Sequence, residues 1–352
     1  MTAVGNYLKK RILTEGPITV ADFMADALGH PKYGYYITRD PLGAEGDFTT
    51  APEVSQMFGE IIGLWLAENW RLLGEPQEFA LVELGPGRGT LMADILRAAQ
   101  MLSGFKESAR ITLIETSPVL RAKQKQTLAG YDVTWVDSIA DIAPLPILLV
   151  ANEFFDALPV RQLIRGEKHW HERLIALDDT EKFTFTNSPG KSAAAPLLAE
   201  KVISMAKPDD IAEICPAGLT IAQHIGEHLA LYGGLALIID YGYGESQTGD
   251  SLQALKAHQF VDPLDIPGEA DITTHVDFEA LARAFANGEA APAALIKQGD
   301  FLKALGIETR ANILSKNLDS DGKVALAADL NRLIDAKQMG NLFKVLAVTS
   351  GG

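Results

Sequence analysis

The residues best placed to do chemistry begin at Leu81. The run Leu81-Val82-Glu83-Leu84-Gly85-Pro86-Gly87-Arg88-Gly89-Thr90 carries an apolar strand into a glycine loop that opens directly onto a helix. Glycines there let the backbone turn tightly and approach a ligand at van der Waals distance, where a Cβ would collide. The spacing narrows the ligand. A dinucleotide loop reads G-x-G-x-x-G, but here the glycines fall at 85, 87 and 89 and the sixth position is Thr90. No Gly-Lys-Ser/Thr follows, so a P-loop does not fit either. Glu115, ending the second predicted strand, can accept hydrogen bonds from both hydroxyls of a ribose. Asp137, after the third, can take an adenine amino group. This set describes a nucleoside site; a ligand-free glycine turn flanked by surface carboxylates is the plain structural alternative.

Positioning these groups requires strands alternating with helices, and the hydrophobic pattern supplies them from residue 79 onward. Phe79–Leu84, Ile111–Ile114, Val133–Val136, Pro146–Ala151 and Leu235–Asp240 read as five strands, with Thr90–Met101 and the stretch opened by Ser117-Pro118 among the helices between them. Strand signal returns at Ala293–Lys297 and Leu342–Val348. Residues 160–186 read as an inserted antiparallel hairpin or meander, and 242–290 as a Gly- and Pro-punctuated lid or substrate-side insertion. Upstream, Asn6–Thr14 and Val20–Leu28 are short helices and Pro31–Asp47 a connection. Thr50-Ala51-Pro52-Glu53 offers a capping box to a helix carrying Met57, Phe58, Ile61, Ile62, Trp65 and Leu66. The expected organisation is an N-terminal helical cap over 1–75 and an α/β core over 76–352, with insertions at about 160–215 and 242–290.

Composition sets the outer limits. The chain has 352 residues, 47% hydrophobic and 22% charged, ordinary globular proportions with room for one large domain or two. No apolar run reaches the roughly 18 residues that a spanning helix needs. The start lacks the apolar core of a signal peptide and the acid-poor character of a transit peptide, which predicts a cytoplasmic protein, or one of a matrix-like compartment after processing. One cysteine, Cys215, excludes a disulfide framework and a cysteine-based zinc site. A net charge of −15 argues against a general nucleic-acid binder; it suits a basic protein partner, and solubility explains it equally well. His224-Ile225-Gly226-Glu227-His228 matches the H-x-x-E-H pattern of inverted zinc peptidases, but Gly226 weakens the helix and no third ligand is identifiable, so no metal is expected.

Six stretches then match one family in order: Gly46-Asp47-Phe48-Thr49-Thr50-Ala51-Pro52-Glu53, the glycine loop from Glu83 to Thr90, Ala151-Asn152-Glu153-Phe154-Phe155-Asp156-Ala157-Leu158-Pro159-Val160, Ile239-Asp240-Tyr241-Gly242, Asp271-Ile272-Thr273-Thr274-His275-Val276-Asp277-Phe278 and Met339-Gly340-Asn341-Leu342-Phe343-Lys344-Val345. The G-x-G-x-G loop resembles the first motif of class I methyltransferases. The chain as a whole, over roughly residues 5 to 348, resembles the MidA-like methyltransferases, a family that includes an arginine-methylating assembly factor of respiratory complex I. The resemblance implies a class I Rossmann-like αβα sandwich whose last strand is inserted antiparallel, with S-adenosylmethionine as cofactor. It implies a protein client, an arginine of a complex I core subunit among the possibilities, and a segment carrying Asp47 and Thr49 that closes over the cofactor.

An arginine acceptor sets a specific demand, because its guanidinium is essentially always protonated and must be gripped and relieved of a proton. Just past the fourth strand, Glu153 is the carboxylate expected to meet it, with Asp156 one helical turn on as a second. The Asn152 amide would orient a substrate N–H, and Phe154 or Phe155 would wall the site or serve the core. Glu153 as a structural helix cap is the competing reading. Asp277 is expected to cap the helix after it and His275 to face the cleft. Two other functions share these features: a small-molecule O- or N-methyltransferase, and a non-catalytic assembly factor that binds the cofactor.

Overall fold

The computed structural model describes residues 2–40, 43, 46–47 and 49–351; Phe48 of the Gly46–Glu53 stretch and Pro41, Leu42, Ala44 and Glu45 of the preceding connection lie outside the described residues. The chain forms two compact units, a smaller one of residues 1–48, 155–220 and 243–281 and a larger one of residues 49–154, 221–242 and 282–352. Both are discontinuous, whereas the hydrophobic pattern suggests continuous segments 1–75 and 76–352. The reason is visible in helix Gln56–Leu72. Gly59 and Gly63 present no side chain, and a Cβ on either would come within 2.5 Å of the Asp94 Cβ or 2.8 Å of the Ile95 backbone. This close approach locks Gln56–Leu72 onto helix Thr90–Ala99 inside the core of the larger unit.

The larger unit is built on a sheet whose strands are β1 (Phe79–Leu84), β2 (Ala109–Ile114), β3 (Val133–Val136), β4 (Ile147–Asn152), β5 (Gly234–Tyr243), β6 (Ala290–Pro292), β7 (Ile296–Lys297) and β8 (Phe343–Ser350). They run in the order β6-β8-β5-β4-β1-β2-β3, with β7 also pairing to β8. The pairs β1–β2, β2–β3, β1–β4 and β4–β5 are parallel, and β8 enters antiparallel beside β5. Every residue of β1 and β4 is buried, as the unbroken apolar runs require for strands covered on both faces. The chain leaves β1 outward through β2 and β3, then returns to the other side of β1 through β4 and β5. Between β1 and β4 lies the switch point where open α/β sheets bind ligands, at the strands' carboxyl ends.

The smaller unit pairs Ile18–Thr19, Trp170–Leu177, Arg161–Arg165 and Ile211–Ile214 in an antiparallel sheet, with Phe183–Asn187 also paired to Trp170–Leu177. This is the meander expected over 160–186. A second small sheet joins Gln259–Val261, Gln253–Lys256 and Asp271–Thr273. Helices Ala3–Glu15 and Val20–Gly29 pack their apolar faces in the same core as Ile175, Ala254 and Ile272. Among the described residues no helix is long and apolar enough to cross a membrane.

Candidate active site

The glycine loop leaves β1 with three residues in the left-handed region: Gly85 at φ 58°, Gly87 at φ 51° and Gly89 at φ 82°. Backbone of this kind disfavours any L side chain. At Gly85 a Cβ would also strike the Phe154 ring at 2.8 Å, so Phe154 walls the loop while Phe155 is buried as core. Just before the loop, Glu83 is buried with its Oε2 lacking a hydrogen-bond partner among the described residues. Burial pushes its carboxyl up to about 8, against the Met92 backbone N–H that favours the ionised form and with the help of nearby Glu115.

Glu115 lies just past β2 and is likewise buried, which raises its pKa. Its Oε1 accepts from the Ser117 backbone N–H at 2.7 Å and its Oε2 from Gln124 Nε2 at 3.1 Å. The Thr116 backbone N–H also favours its ionised form, and of the four acceptor sites on a carboxylate at least one stays open to a ribose hydroxyl. Asp137 follows β3 with a largely exposed side chain, its Oδ1 2.7 Å from Arg121. The same guanidinium donates to the Glu115 and Val136 carbonyls at 2.7 and 3.1 Å, tying the ends of β2 and β3 together. Neither Gln124 nor Arg121 stands out in the sequence. Their only signal is position, on the helix Pro118–Thr127 that follows the acidic strand end.

At the end of β4, Asn152 is buried and its Nδ2 donates to Glu153 Oε1 at 3.2 Å, which fixes the amide's orientation. Asn152 Oδ1 then has no partner among the described residues. Glu153 adopts φ 50°, unusual for a residue with a side chain, and its N–H donates to the Ile239 carbonyl of β5. Its Oε1 also accepts from Ala51 N at 2.9 Å, so Glu153 does cap a helix, the short Ala51–Val54. Asp240, fully buried at the end of β5, holds the next residue by accepting from Phe154 N.

Two expectations change here. Residues 153–158 form a bend and a turn, so Asp156 is not one helical turn beyond Glu153; the left-handed Glu153 breaks the helical path, and Asp156 belongs to the smaller unit. The capping box at Thr50 and Glu53 does not form: Thr50 makes no side-chain cap, Ser55 is extended, and Glu53 Oε1 instead accepts from the Thr90 hydroxyl at 2.6 Å. Thr49 lends its carbonyl to Arg332 at 3.4 Å. The H-x-x-E-H pattern lies on the helix Pro216–Tyr232. His228 Nε2 lies 2.9 Å from the Leu145 carbonyl oxygen, and Gly226 is there for packing, since a Cβ would meet the Phe285 carbonyl at 2.5 Å.

In the smaller unit, Asp47 Oδ2 accepts from the Tyr35 hydroxyl at 2.7 Å and Oδ1 from Ala257 N at 2.8 Å. The buried carboxylates Asp156 and Asp271 lie in the same unit; Asp271 accepts from the Tyr36 hydroxyl at 2.6 Å. Burial and the neighbouring charges of Asp156 and Asp47 push Asp271 up to about 7, against that hydrogen bond. Sequence reading missed Asp271 as a charged group of interest. Asp277 caps its helix through Ala280 N at 2.9 Å, as expected, and His275 lines a cavity of about 370 Å³ with Glu213, Tyr243 and Asp250.

The larger unit's crevice fits a nucleoside carrying a charged amino-acid tail: left-handed glycines that keep Cβ atoms away, a braced carboxylate with acceptor sites left for a ribose, and buried acceptors at Glu83 and Asn152. Known proteins agree. The family model for S-adenosyl-L-methionine-dependent methyltransferases matches residues 61–294. The chain is 37% identical over 374 residues to a Xenopus tropicalis protein named protein arginine methyltransferase NDUFAF7, mitochondrial, covering 98% of this chain and 85% of that one. The Homo sapiens protein of the same name is 35% identical, covering 99% and 83%. A Burkholderia thailandensis protein crystallised with S-adenosyl-homocysteine bound superimposes with a TM-score of 0.85 at 28% identity, over 99% of this chain and 92% of that one. The cofactor is therefore S-adenosylmethionine, and the chain belongs to this family of S-adenosyl-L-methionine-dependent methyltransferases.

Proposed function

We propose that the methyl acceptor is a guanidinium nitrogen of an arginine in a protein client, with a core subunit of respiratory complex I as the client that the MidA-like resemblance suggests. The names of the relatives, protein arginine methyltransferase in each case, support the acceptor class. The structural observation that carries the reading is Asn152 Oδ1, a buried acceptor with no partner among the described residues. Leaving such an oxygen unpaired costs about 1–3 kcal/mol, so the site favours a ligand rich in donors. A guanidinium offers five N–H groups in a rigid fork.

When bound, S-adenosylmethionine supplies an electrophilic methyl on a sulfonium. In this reading Glu83, Gly85, Gly87, Gly89 and Glu115 hold it, with Asp137 at the adenine end and Thr49 contributing from its segment. Asn152 Oδ1 accepts an N–H and orients one nitrogen, and the Glu153 carboxylate holds the charge and receives the displaced proton. The compartment follows the source: a mitochondrion, as the relatives' names print, with the matrix as the compartment in this reading, or the cytoplasm of a bacterium.

The test offers radiolabelled S-adenosylmethionine with a purified complex I core subunit and with that subunit's arginine-to-lysine variants. Label should enter the arginine-bearing client alone. Glu153→Gln, which keeps an oxygen for the Ala51 N–H, should lower transfer by at least ~100-fold while S-adenosylhomocysteine binds as before. Transfer to a small molecule, or undiminished transfer by the variant, would overturn the assignment.

A further inference from the structure

The larger unit holds a buried amide that the glycine loop and the acidic strand end share. Gln124 is completely buried on helix Pro118–Thr127. Its Nε2 donates to the Gly87 carbonyl at 2.7 Å and to Glu115 Oε2 at 3.1 Å, and its Oε1 accepts from Trp135 Nε1 on β3 at 2.9 Å. The Trp135 bond settles which end of the amide faces which way, since an indole N–H only donates. The helix is seated close: a Cβ on Gly89 would lie 3.5 Å from Gln124 Cα.

We propose that Gln124 is the positioning residue of the cofactor site, with Trp135 as its brace. One amide group fixes the Gly87 peptide and the Glu115 carboxylate relative to each other. The Ser117 N–H holds Oε1 and Gln124 holds Oε2, so the plane of the carboxylate is set from both sides and the acceptor capacity it keeps faces a ribose in one orientation. Without the Nε2 donor, Glu115 Oε2 and the Gly87 carbonyl are two buried acceptors that repel each other. The loop then separates from the carboxylate it must act with. The inference rests on the cofactor alone and is tested without any client, so it stands or falls independently of the arginine reading.

Three full-length variants test it, with S-adenosylhomocysteine titrated calorimetrically and thermal unfolding followed in parallel. Gln124→Met keeps the volume and removes both polar ends; its affinity should fall about 10–100-fold, the range for losing a hydrogen bond to a charged group. Trp135→Phe removes only the brace and should cost less, about 2–10-fold. Gln124→Glu carries the decisive readout. Protonated, the new carboxyl can still donate to Glu115 or to the Gly87 carbonyl; ionised, it faces the Glu115 carboxylate. Glu83 acts on Glu115 as a further negative charge, while Arg121 is the positive charge that acts on it. Wild-type affinity should rise with pH as Glu115 ionises, and that of Gln124→Glu should fall. Opposite slopes support the positioning role. Parallel slopes, or affinity within twofold of wild type in both Gln124 variants, would overturn it; so would a pH-independent loss in Gln124→Glu that tracks lower thermal stability.

Discussion

The cofactor crevice of the larger unit and the carboxylate cluster of the smaller unit bury acidic groups by opposite routes. In the crevice the partners are near in the chain: Glu115 receives the N–H of Ser117, two residues on, and the amide of Gln124, nine residues on. In the smaller unit Tyr36 reaches Asp271 across 235 positions and Ala257 reaches Asp47 across 210. Burial raises a carboxyl in both places, Glu83 to about 8 and Asp271 to about 7. The difference lies in what surrounds it. Glu83 sits beneath a loop of left-handed glycines that approaches a ligand, whereas Asp271 has the carboxylates of Asp156 and Asp47 as its principal charged neighbours, with a tyrosine hydroxyl to hold it. In the first, both donors to Glu115 lie within nine residues of it. The second exists only once distant segments have folded together.

Gly87→Val puts this contrast to its most severe test. A β-branched residue at φ 51° meets the full left-handed penalty. S-adenosylhomocysteine affinity should fall by ~100-fold or more in calorimetry. If binding survives, the crevice does not depend on its glycines and the contrast fails.

Asp271→Asn probes the other side, because asparagine keeps an acceptor for the Tyr36 hydroxyl and removes the titration. The folded-state pKa of Asp271 is raised above its ordinary value of 3.8. Its stabilising contribution is therefore full below about pH 4 and lost as pH rises through about 7. The variant should match wild type near pH 4 and be more stable above pH 7 by a few kcal/mol, since each tenfold difference in proton affinity between the folded and unfolded chains is worth about 1.4 kcal/mol. Denaturant unfolding at pH 4, 6 and 8 measures it. A difference independent of pH would show that Asp271 is not held near neutrality by its burial.

The smallest effect belongs to His228→Ala. Losing its hydrogen bond to the Leu145 carbonyl should cost about 1 kcal/mol and leave S-adenosylhomocysteine affinity unchanged. Stoichiometric zinc binding by the wild-type chain would overturn the expectation of no metal there.

Much of the fold was legible because its signals are local. The apolar runs at 79–84 and 147–152 are long enough for a strand and too short for most helices, and the loop from Glu83 to Thr90 carries its own conformational demand in its glycines. Where a residue had a local and a distant partner to choose from, the pattern misled. Glu53 satisfies the capping-box pattern on paper, yet it accepts from the hydroxyl of Thr90, 37 residues away. Gln56–Leu72 has the periodicity of a surface cap, yet its two glycines seat it in the core.

The order of strands and helices, the glycine loop and the acidic residue ending the second strand were all written in residue order. They follow from backbone sterics and hydrophobic periodicity, which act over a few residues. It took the folded chain to join Gln124 to both the loop and Glu115, to turn Glu153 left-handed so that it caps a helix a hundred residues upstream, and to gather Asp47, Asp156 and Asp271 into one unit. The physical reason is that hydrogen bonds and charge–charge interactions depend on distance in space. Residue type announces the capacity for such an interaction, and the fold alone chooses the partner.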